Sequence, residues 1–317
     1  MKNNGMGYVV DSVRVCAVIV TYHPDLAVLN NLLGAVVPQV HRVAIVDNTA
    51  DETVGQWLHA SRHAMSASLL TQPENIGVGA GHNRGIEWAL REGATHVLLL
   101  DQDSVPEPLM VDALVADWHR LIQSGVRVSA VGPQFVDPRS RRASYFVRVG
   151  WQGKQRVTCP DIHSEEVIEV DFLISSGALL PAAAISAVGG MDEALFIDHI
   201  DTEWFLRASC NGYRAFGVCR AVMRHSLGEE RLNFWFGRWY GLACYRPFRY
   251  YYIFRNSILL YKRNYVPVRW IMSDLVRLMG LFLVHALFSD QRLKNVSMML
   301  RGVWHGLLGK SGRLAIP

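Results

Sequence analysis

From Val13 to Gln123 the chain repeats one pattern: a short apolar run ending in turn residues, then a segment of helical periodicity. The runs are Val13–Thr21, Val43–Asp47, Ser68–Thr71 and Val97–Asp101. Helices are expected from about Asp25, near Glu52–Ala60, and from Pro106 and Glu107 to about Gln123, with Gly125 as the stop. Strand and helix in alternation specify a mostly parallel sheet, so the fold class is α/β. The runs are continuous Val, Ile and Leu rather than alternating, as strands covered on both faces require. Val131 to Val170 reads as shorter strands and polar turns, including the basic loop Arg139–Arg142, and predicts a mixed or antiparallel extension of the sheet.

A length of 317 residues allows one large domain or two ordinary ones, and a composition half apolar and 19% charged excludes collagen, coiled coil and wholesale disorder. Charge is unevenly spread: 16 basic and 24 acidic residues stand up to Cys219, and 16 basic and 4 acidic after it. Such asymmetry suits metal or acid–base chemistry in the acidic part and contact with phosphates or an anionic surface in the basic part. Five cysteines (Cys16, Cys159, Cys210, Cys219 and Cys244) with no C-x-x-C pair argue against a disulfide framework or a zinc knuckle and favour a reducing compartment. The first apolar run, Val15 to Val20, is too short for the core of a signal peptide. The uncharged stretch Leu278 to Phe288 falls short of a membrane span, so no transmembrane helix is expected.

Asp101 and Asp103 stand two positions apart where the buried run from His96 ends. In extended chain such residues point the same way, so both can face one site at the carboxyl edge of the sheet, where open α/β folds bind ligands. Two carboxylates there suit a hard cation that keeps positions for water and phosphate oxygens, Mg²⁺ or Mn²⁺. The structural alternative is a solvated turn capping the Pro106 helix. Asp47 closes the second strand, where a carboxylate can accept from ribose hydroxyls or a base N–H. Glycines between Glu74 and Gly85 open a helix and can present backbone N–H groups to an anion, or form a flexible loop without a ligand. They spell G-x-G-x-G after the third strand, which weighs against a dinucleotide fingerprint.

Five carboxylates, Asp192, Glu193, Asp198, Asp201 and Glu203, fall within twelve residues among bulky apolar neighbours. With a helix starting near Asp201, that residue is the N-cap and Glu203 lies in the first turn. Apolar surroundings also raise carboxylate pKa values toward those useful for a general base. Further on, thirteen of the 32 aromatic residues lie between Phe234 and Tyr265. Leu275, Leu278, Met279, Phe282 and Ala286 then fall at helical spacing, and Lys262 to Arg313 hold nine basic and two acidic residues. This region reads as a helical cap on the rest of the chain or as a surface for anionic lipid. No nucleic-acid recognition motif accompanies the positive charge, so no nucleic-acid partner is expected.

Val18-Ile-Val-Thr-Tyr22, Val46-Asp47-Asn48, the Asn75–Gly85 loop, Asp101-Gln102-Asp103, Ser175-Ser176-Gly177 and Phe196-Ile-Asp198-His-Ile-Asp201-Thr-Glu203-Trp together resemble a family 2 glycosyltransferase of GT-A fold. Within it they are most similar to bacterial rhamnosyltransferases of O-antigen, rhamnan or rhamnolipid synthesis. The likeness covers about Val13 to His225 and, weakly, Arg249-Tyr-Tyr-Tyr-Ile-Phe-Arg255-Asn256. It implies a GT-A nucleotide-diphospho-sugar transferase domain over 1–230 with a mostly parallel central sheet, and a basic, aromatic helical region over 231–317. It also implies that Asp103 and His225 hold Mg²⁺ or Mn²⁺ against the diphosphate of dTDP-L-rhamnose, with Asp101 near the ribose and metal shell. Thr21, Tyr22, Asp47 and Asn75, with Gly77, Asn83, Gln102 and Arg255, are the remaining donor-site positions. Asp201 matches the position of the catalytic base, but relatives often write Glu-Asp where this chain has Ile200-Asp201, which leaves Asp198 as the alternative. The implied acceptor is a lipid-linked glycan or glycolipid, and the implied location is the cytoplasm or, peripherally, the cytoplasmic face of the inner membrane. A UDP-hexose donor and a non-catalytic nucleotide- or membrane-binding module are the competing readings.

Overall fold

The structure is a computed structural model that describes residues 13–137, 143–150, 153–224, 230–235 and 239–315. Arg139–Arg142 and His225 lie outside the described residues. The four apolar runs form strands β1 (Val15–Thr21), β2 (Arg42–Asp47), β3 (Ala67–Thr71) and β4 (His96–Asp101), parallel in the order β3-β2-β1-β4. Between them run α1 (Leu26–Val36), α2 (Thr53–Ala60) and α3 (Val78–Arg91). Ala17 and Ile19 of β1 pack with Leu29, Leu32 and Leu33 of α1 on one face, while Cys16 and Val18 pack with Ile86 and Ala89 of α3 on the other. Both faces of the strand are therefore dry, which is why its sequence does not alternate. Burying each large apolar side chain stabilises the fold by about 1.5–3 kcal/mol. Asp25 caps α1, its carboxylate accepting from the N–H groups of Ala27 at 2.8 Å and Val28 at 3.2 Å.

Pro106 does not open a helix. It is drawn into a two-residue strand, β5 (Val105–Pro106), opposite Met223 and Arg224, and α4 (Met110–Gln123) starts only at Met110. Asp101 and Asp103 are thus not caps of that helix. The remainder comprises β6 (Val128–Val136), the hairpin of β7 (Phe146–Gly150) and β8 (Gly153–Val157), β9 (Val167–Val170), β10 (Leu179–Pro181), α5 (Ala182–Val188), α6 (Ile200–Cys210) and β11 (Arg214–Arg224). They continue the sheet as β4-β10-β6-β11-β5, with β9 also on β11. β10 runs antiparallel to its neighbours β4 and β6, so the extension is mixed, as Val131 to Val170 predicted. Cys159 and Cys219 are joined in a disulfide across 60 residues, contrary to the expectation of free thiols. Spacing along the chain could not show this: the two cysteines are 60 residues apart, and it is the tertiary structure that brings their Cα atoms within 5.7 Å.

A second hairpin, β12 (Glu230–Trp235) with β13 (Trp239–Cys244), leads to α7 (Pro247–Tyr261), α8 (Val268–Phe288) and α9 (Arg292–Leu307). α7 is the inner helix, with every residue from Tyr250 to Ser257 buried. α9 lies close against it because Gly302 and Gly306 have no side chain: a Cβ at Gly302 would sit 2.5 Å from the Tyr251 carbonyl oxygen. α8 extends well beyond the uncharged stretch Leu278–Phe288. Its 21 residues are long and apolar enough to cross a membrane by length and composition, and Asp274 and Arg277, which broke the uncharged stretch in the sequence, pair with each other at 2.7 Å.

Candidate active site

The C-terminal ends of β1, β2 and β4 border a cavity of about 640 Å³. Register explains one wall. β4 delivers Asp101, Gln102 and Asp103 to the rim, where the Asp101 N–H donates to Ser176 Oγ at 3.0 Å and Gln102 Oε1 accepts from the Tyr22 N–H at 2.8 Å. Ser176 is itself 2.6 Å from Ser104 Oγ, which secures the turn that carries the two carboxylates. Thr21, Tyr22, Asn48 and Ser175 also face this space.

A second wall is the turn 196–199 together with Ile200 and Asp201 at the start of α6. Phe196, Asp198 and His199 have φ of 65°, 62° and 64°, left-handed values that disfavour side chains by about 1 kcal/mol or more each. The strain persists because other elements fix the backbone. Asn256 Nδ2 of α7 approaches the carbonyl oxygens of Leu195 (3.0 Å), Ile197 (2.8 Å) and Asp198 (2.9 Å), and Arg255 Nη2 donates to Leu195 O at 2.9 Å. From the other side the Val78 N–H donates to Phe196 O at 2.7 Å. Gly77 makes that approach possible, since its φ is 87° and a Cβ would lie 2.6 Å from the Phe196 carbonyl oxygen.

Of the five carboxylates in this segment, three are committed elsewhere. Asp192 caps a short turn and pairs with Arg263, Glu193 accepts from Asn83, and Glu203 is held by Arg207 at 2.8 Å and by the Tyr265 hydroxyl. Asp198 and Asp201 remain on the cavity wall and differ in partners. Asp198 is bound to Arg249 Nη2 of α7 at 2.5 Å. Asp201 accepts from the Thr202 N–H at 2.7 Å, more weakly from the Thr202 hydroxyl at 3.4 Å, and from the Ser175 backbone, and no cation pairs with it among the described residues. Burial, with smaller contributions from the charges of Asp101 and Asp198, pushes its carboxyl up to about 6. Asp201 is not the N-cap: α6 begins at Ile200, and His199 occupies the cap without a side-chain bond.

His199 lines the cavity and is braced from behind. Its Nε2 lies 3.0 Å from Ser257 Oγ and 3.1 Å from Arg277 Nη2 of α8, while Asp274 accepts from both Ser257 and Arg277. Burial lowers the His199 pKa to about 4, so the ring is neutral at physiological pH.

No model of a known protein family matches the sequence. Among curated proteins, the chain is 29% identical over 269 residues to the dTDP-rhamnosyl transferase RfbF of Shigella flexneri, covering 83% of this chain and 85% of that one. Solved structures with the same architecture include GalNAc-T7 with UDP, GalNAc and Mn²⁺ (TM-score 0.55, 11% identity), of whose length the alignment spans 56% and of this chain 93%. Residues 1–349 of S. aureus TarS in complex with UDP (TM-score 0.52, 13% identity) match 96% of this chain and 94% of that one. The mannosyltransferase PcManGT of Pyrobaculum calidifontis with GDP-Man and Mn²⁺ (TM-score 0.52, 14% identity) matches 93% and 75%. The chain has the GT-A fold of these glycosyltransferases.

The glycosyltransferase fold gathers most of the residues picked from sequence around one space: Thr21, Tyr22, Asn75, Gly77, Asp101, Gln102, Asp103, Asp198 and Asp201. Three others stand elsewhere. Asp47 is buried behind the wall, its Oδ1 accepting from the hydroxyls of Thr21 at 2.8 Å and Thr49 at 2.7 Å. Asn83 ties α3 to the 190s loop through Met191 and Glu193. Arg255 is fully buried, directed at the carbonyls of Leu195 and Gly312, and is therefore part of the scaffold rather than a lining residue. Most of the glycine run serves packing as well: a Cβ at Gly81 or Gly85 would lie 2.9 Å or 2.1 Å from side-chain methyls of Val20 and Val18. Sequence reasoning missed Arg249 and Tyr245, which line the cavity, the guanidinium lying 4.4 Å from the centre of the tyrosine ring. The available signal was the weak resemblance of the Arg249-to-Asn256 segment, of which only Arg255 was expected at the donor site.

Proposed function

We propose that this glycosyltransferase transfers L-rhamnose from dTDP-L-rhamnose to a hydroxyl of a glycan or glycolipid acceptor, with inversion at the anomeric carbon. The observation that supports this reading best is the sharing of one cavity by the Asp101–Asp103 edge and by Asp198 and Asp201. The donor assignment draws on the likeness to a dTDP-rhamnosyl transferase.

Asp201 is the proposed base. A carboxyl group near pKa 6 is largely ionised at neutral pH yet basic enough to take a proton from an attacking alcohol. As the acceptor oxygen forms its bond to the anomeric carbon, the bond from that carbon to the diphosphate oxygen breaks, and the alcohol proton passes to Asp201. Asp198 is the weaker choice, because its charge is already spent on Arg249. Arg249 instead offers the cavity a cation suited to phosphate oxygens.

A divalent cation, Mg²⁺ or Mn²⁺, fits the donor set in one respect. Asp101 and Asp103 are hard oxygen ligands at the rim, while no group of three or more His, Cys, Asp or Glu suited to an ion occurs among the described residues. Asp103, with Asp101 beside it, would hold the ion, and diphosphate oxygens would fill the other positions. Bound there, it would stabilise negative charge on the leaving diphosphate. Asn48, on the cavity lining, has its Oδ1 buried without a partner among the described residues, a chemistry that suits N–H or hydroxyl donors of a nucleoside.

Donor screening tests the reading directly. Hydrolysis or transfer is expected with dTDP-L-rhamnose and not with UDP-hexoses; preference for a UDP-hexose would leave the mechanism standing and replace the sugar. Excess EDTA should stop turnover, with Mn²⁺ or Mg²⁺ restoring it, whereas full activity in EDTA rejects the metal. A lipid-linked acceptor would place the enzyme peripherally at the cytoplasmic face of a membrane.

A further inference from the structure

The outward faces of α8 and α9 carry large apolar side chains that the fold leaves open. On α8, Val268, Met272, Val276, Met279, Leu283 and Leu287 are between 50% and 74% exposed. On α9, Leu293, Leu300, Trp304 and Leu307 are between 56% and 82% exposed. Spacings of three, four and seven residues put each set on one side of its helix. The opposite sides pack on α7: Leu278 and Met299 join Tyr250, Ile253 and Phe254 in one apolar cluster, and Gly302 and Gly306 abut the α7 backbone. Each open face therefore lies on the side of its helix away from α7, along neighbouring helices about 30 Å and 24 Å long. Contiguous apolar area of this kind marks an interaction surface.

Two observations identify what covers it. The first is that α8 cannot leave the protein to cross a bilayer. Its buried Asp274 accepts from Ser257 Oγ at 2.7 Å, the Tyr261 hydroxyl at 2.9 Å and Arg277 Nε at 2.7 Å, bonds that a lipid-exposed span would forfeit. A helix fixed by its inner face and apolar on its outer face lies in the plane of an interface. The second is charge. Arg292 and Lys294 flank Leu293 at the start of α9 and Lys310 follows its end, all exposed, against a single exposed acidic residue, Asp290, in this stretch. Trp304, with an apolar ring and a polar N–H, suits headgroup depth.

We propose that α8 and α9 form a monotopic seat by which the enzyme rests on an anionic lipid bilayer, apolar faces inserted and the basic residues at the headgroups. α8 then separates lipid from the active site by one helix thickness, since its inner side reaches His199 of the cavity wall through Arg277. An acceptor carrying a lipid tail would be presented at that distance.

Flotation of the full chain with vesicles tests this without relying on the sugar-transfer reading. The protein should float with phosphatidylcholine–phosphatidylglycerol vesicles and much less with phosphatidylcholine alone, and bromine-labelled acyl chains should quench its tryptophan emission less in Trp304→Phe. Val276→Glu with Leu283→Glu should reduce flotation about tenfold or more. The milder pair Val276→Ser with Leu283→Ser should act in the same direction, with unchanged dTDP binding and cooperative unfolding. Wild-type protein that stays unbound, or charged variants that float undiminished, would overturn the seat. So would light scattering that shows a dimer dispersed by these substitutions with no vesicle binding, because the face would then belong to a second copy.

Discussion

The two walls of the cavity are built by opposite means. At the sheet edge, Asp101 and Asp103 arrive by strand register and are steadied by neutral groups nearby, Ser176 and the Gln102–Tyr22 pair. At the turn 196–199, the backbone takes left-handed values that it would not adopt alone, and Asn256 and Arg255 of α7 keep it there without facing the cavity. A wall set by local geometry tolerates change in distant residues. A wall held under strain depends on them.

The largest effect expected falls on the strained wall itself. Asp201→Asn should lower transfer by about 10²–10⁴-fold in steady-state assays while dTDP binding is retained; loss of dTDP binding together with activity would overturn its assignment as the base. Asn256→Ala comes next. Loss of bonds to three turn carbonyls should destabilise the protein by about 2–4 kcal/mol in denaturant unfolding and depress kcat, although the side chain never touches substrate. Wild-type kcat in that variant would show that the turn holds itself. Gly77→Ala should cost about 1–3 kcal/mol through its clash with Phe196, again visible as a lower unfolding midpoint.

An effect of similar size sharpens the comparison through pH. Because burial raises the Asp201 pKa from 3.8 to about 6, its protonated form is favoured in the fold. Stability from this group is therefore full below pH 3.8 and is lost as pH rises through about 6. Asp201→Asn should consequently be more stable than wild type by about 1–3 kcal/mol near pH 8, a gain that shrinks toward pH 4. Thermal unfolding of the pair at both pH values measures it, and an equal difference at each would mean that burial does not strain the carboxylate.

The sequence by itself determined the parallel α/β half, the D-x-D edge and the acidic segment 192–203, because hydrophobic runs, caps and i, i+2 geometry act over a few residues. It could not sort that segment's five carboxylates, since their roles depend on partners such as Arg263 and Arg249, 71 and 51 positions away. Nor could it place Arg255, which helix α7 turns inward while Arg249 reaches the cavity. The Cys159–Cys219 bond and the open faces of α8 and α9 belong to the same class. Only tertiary packing decides which groups meet and which side of a helix stays uncovered, because contact and solvation depend on segments far apart in the chain.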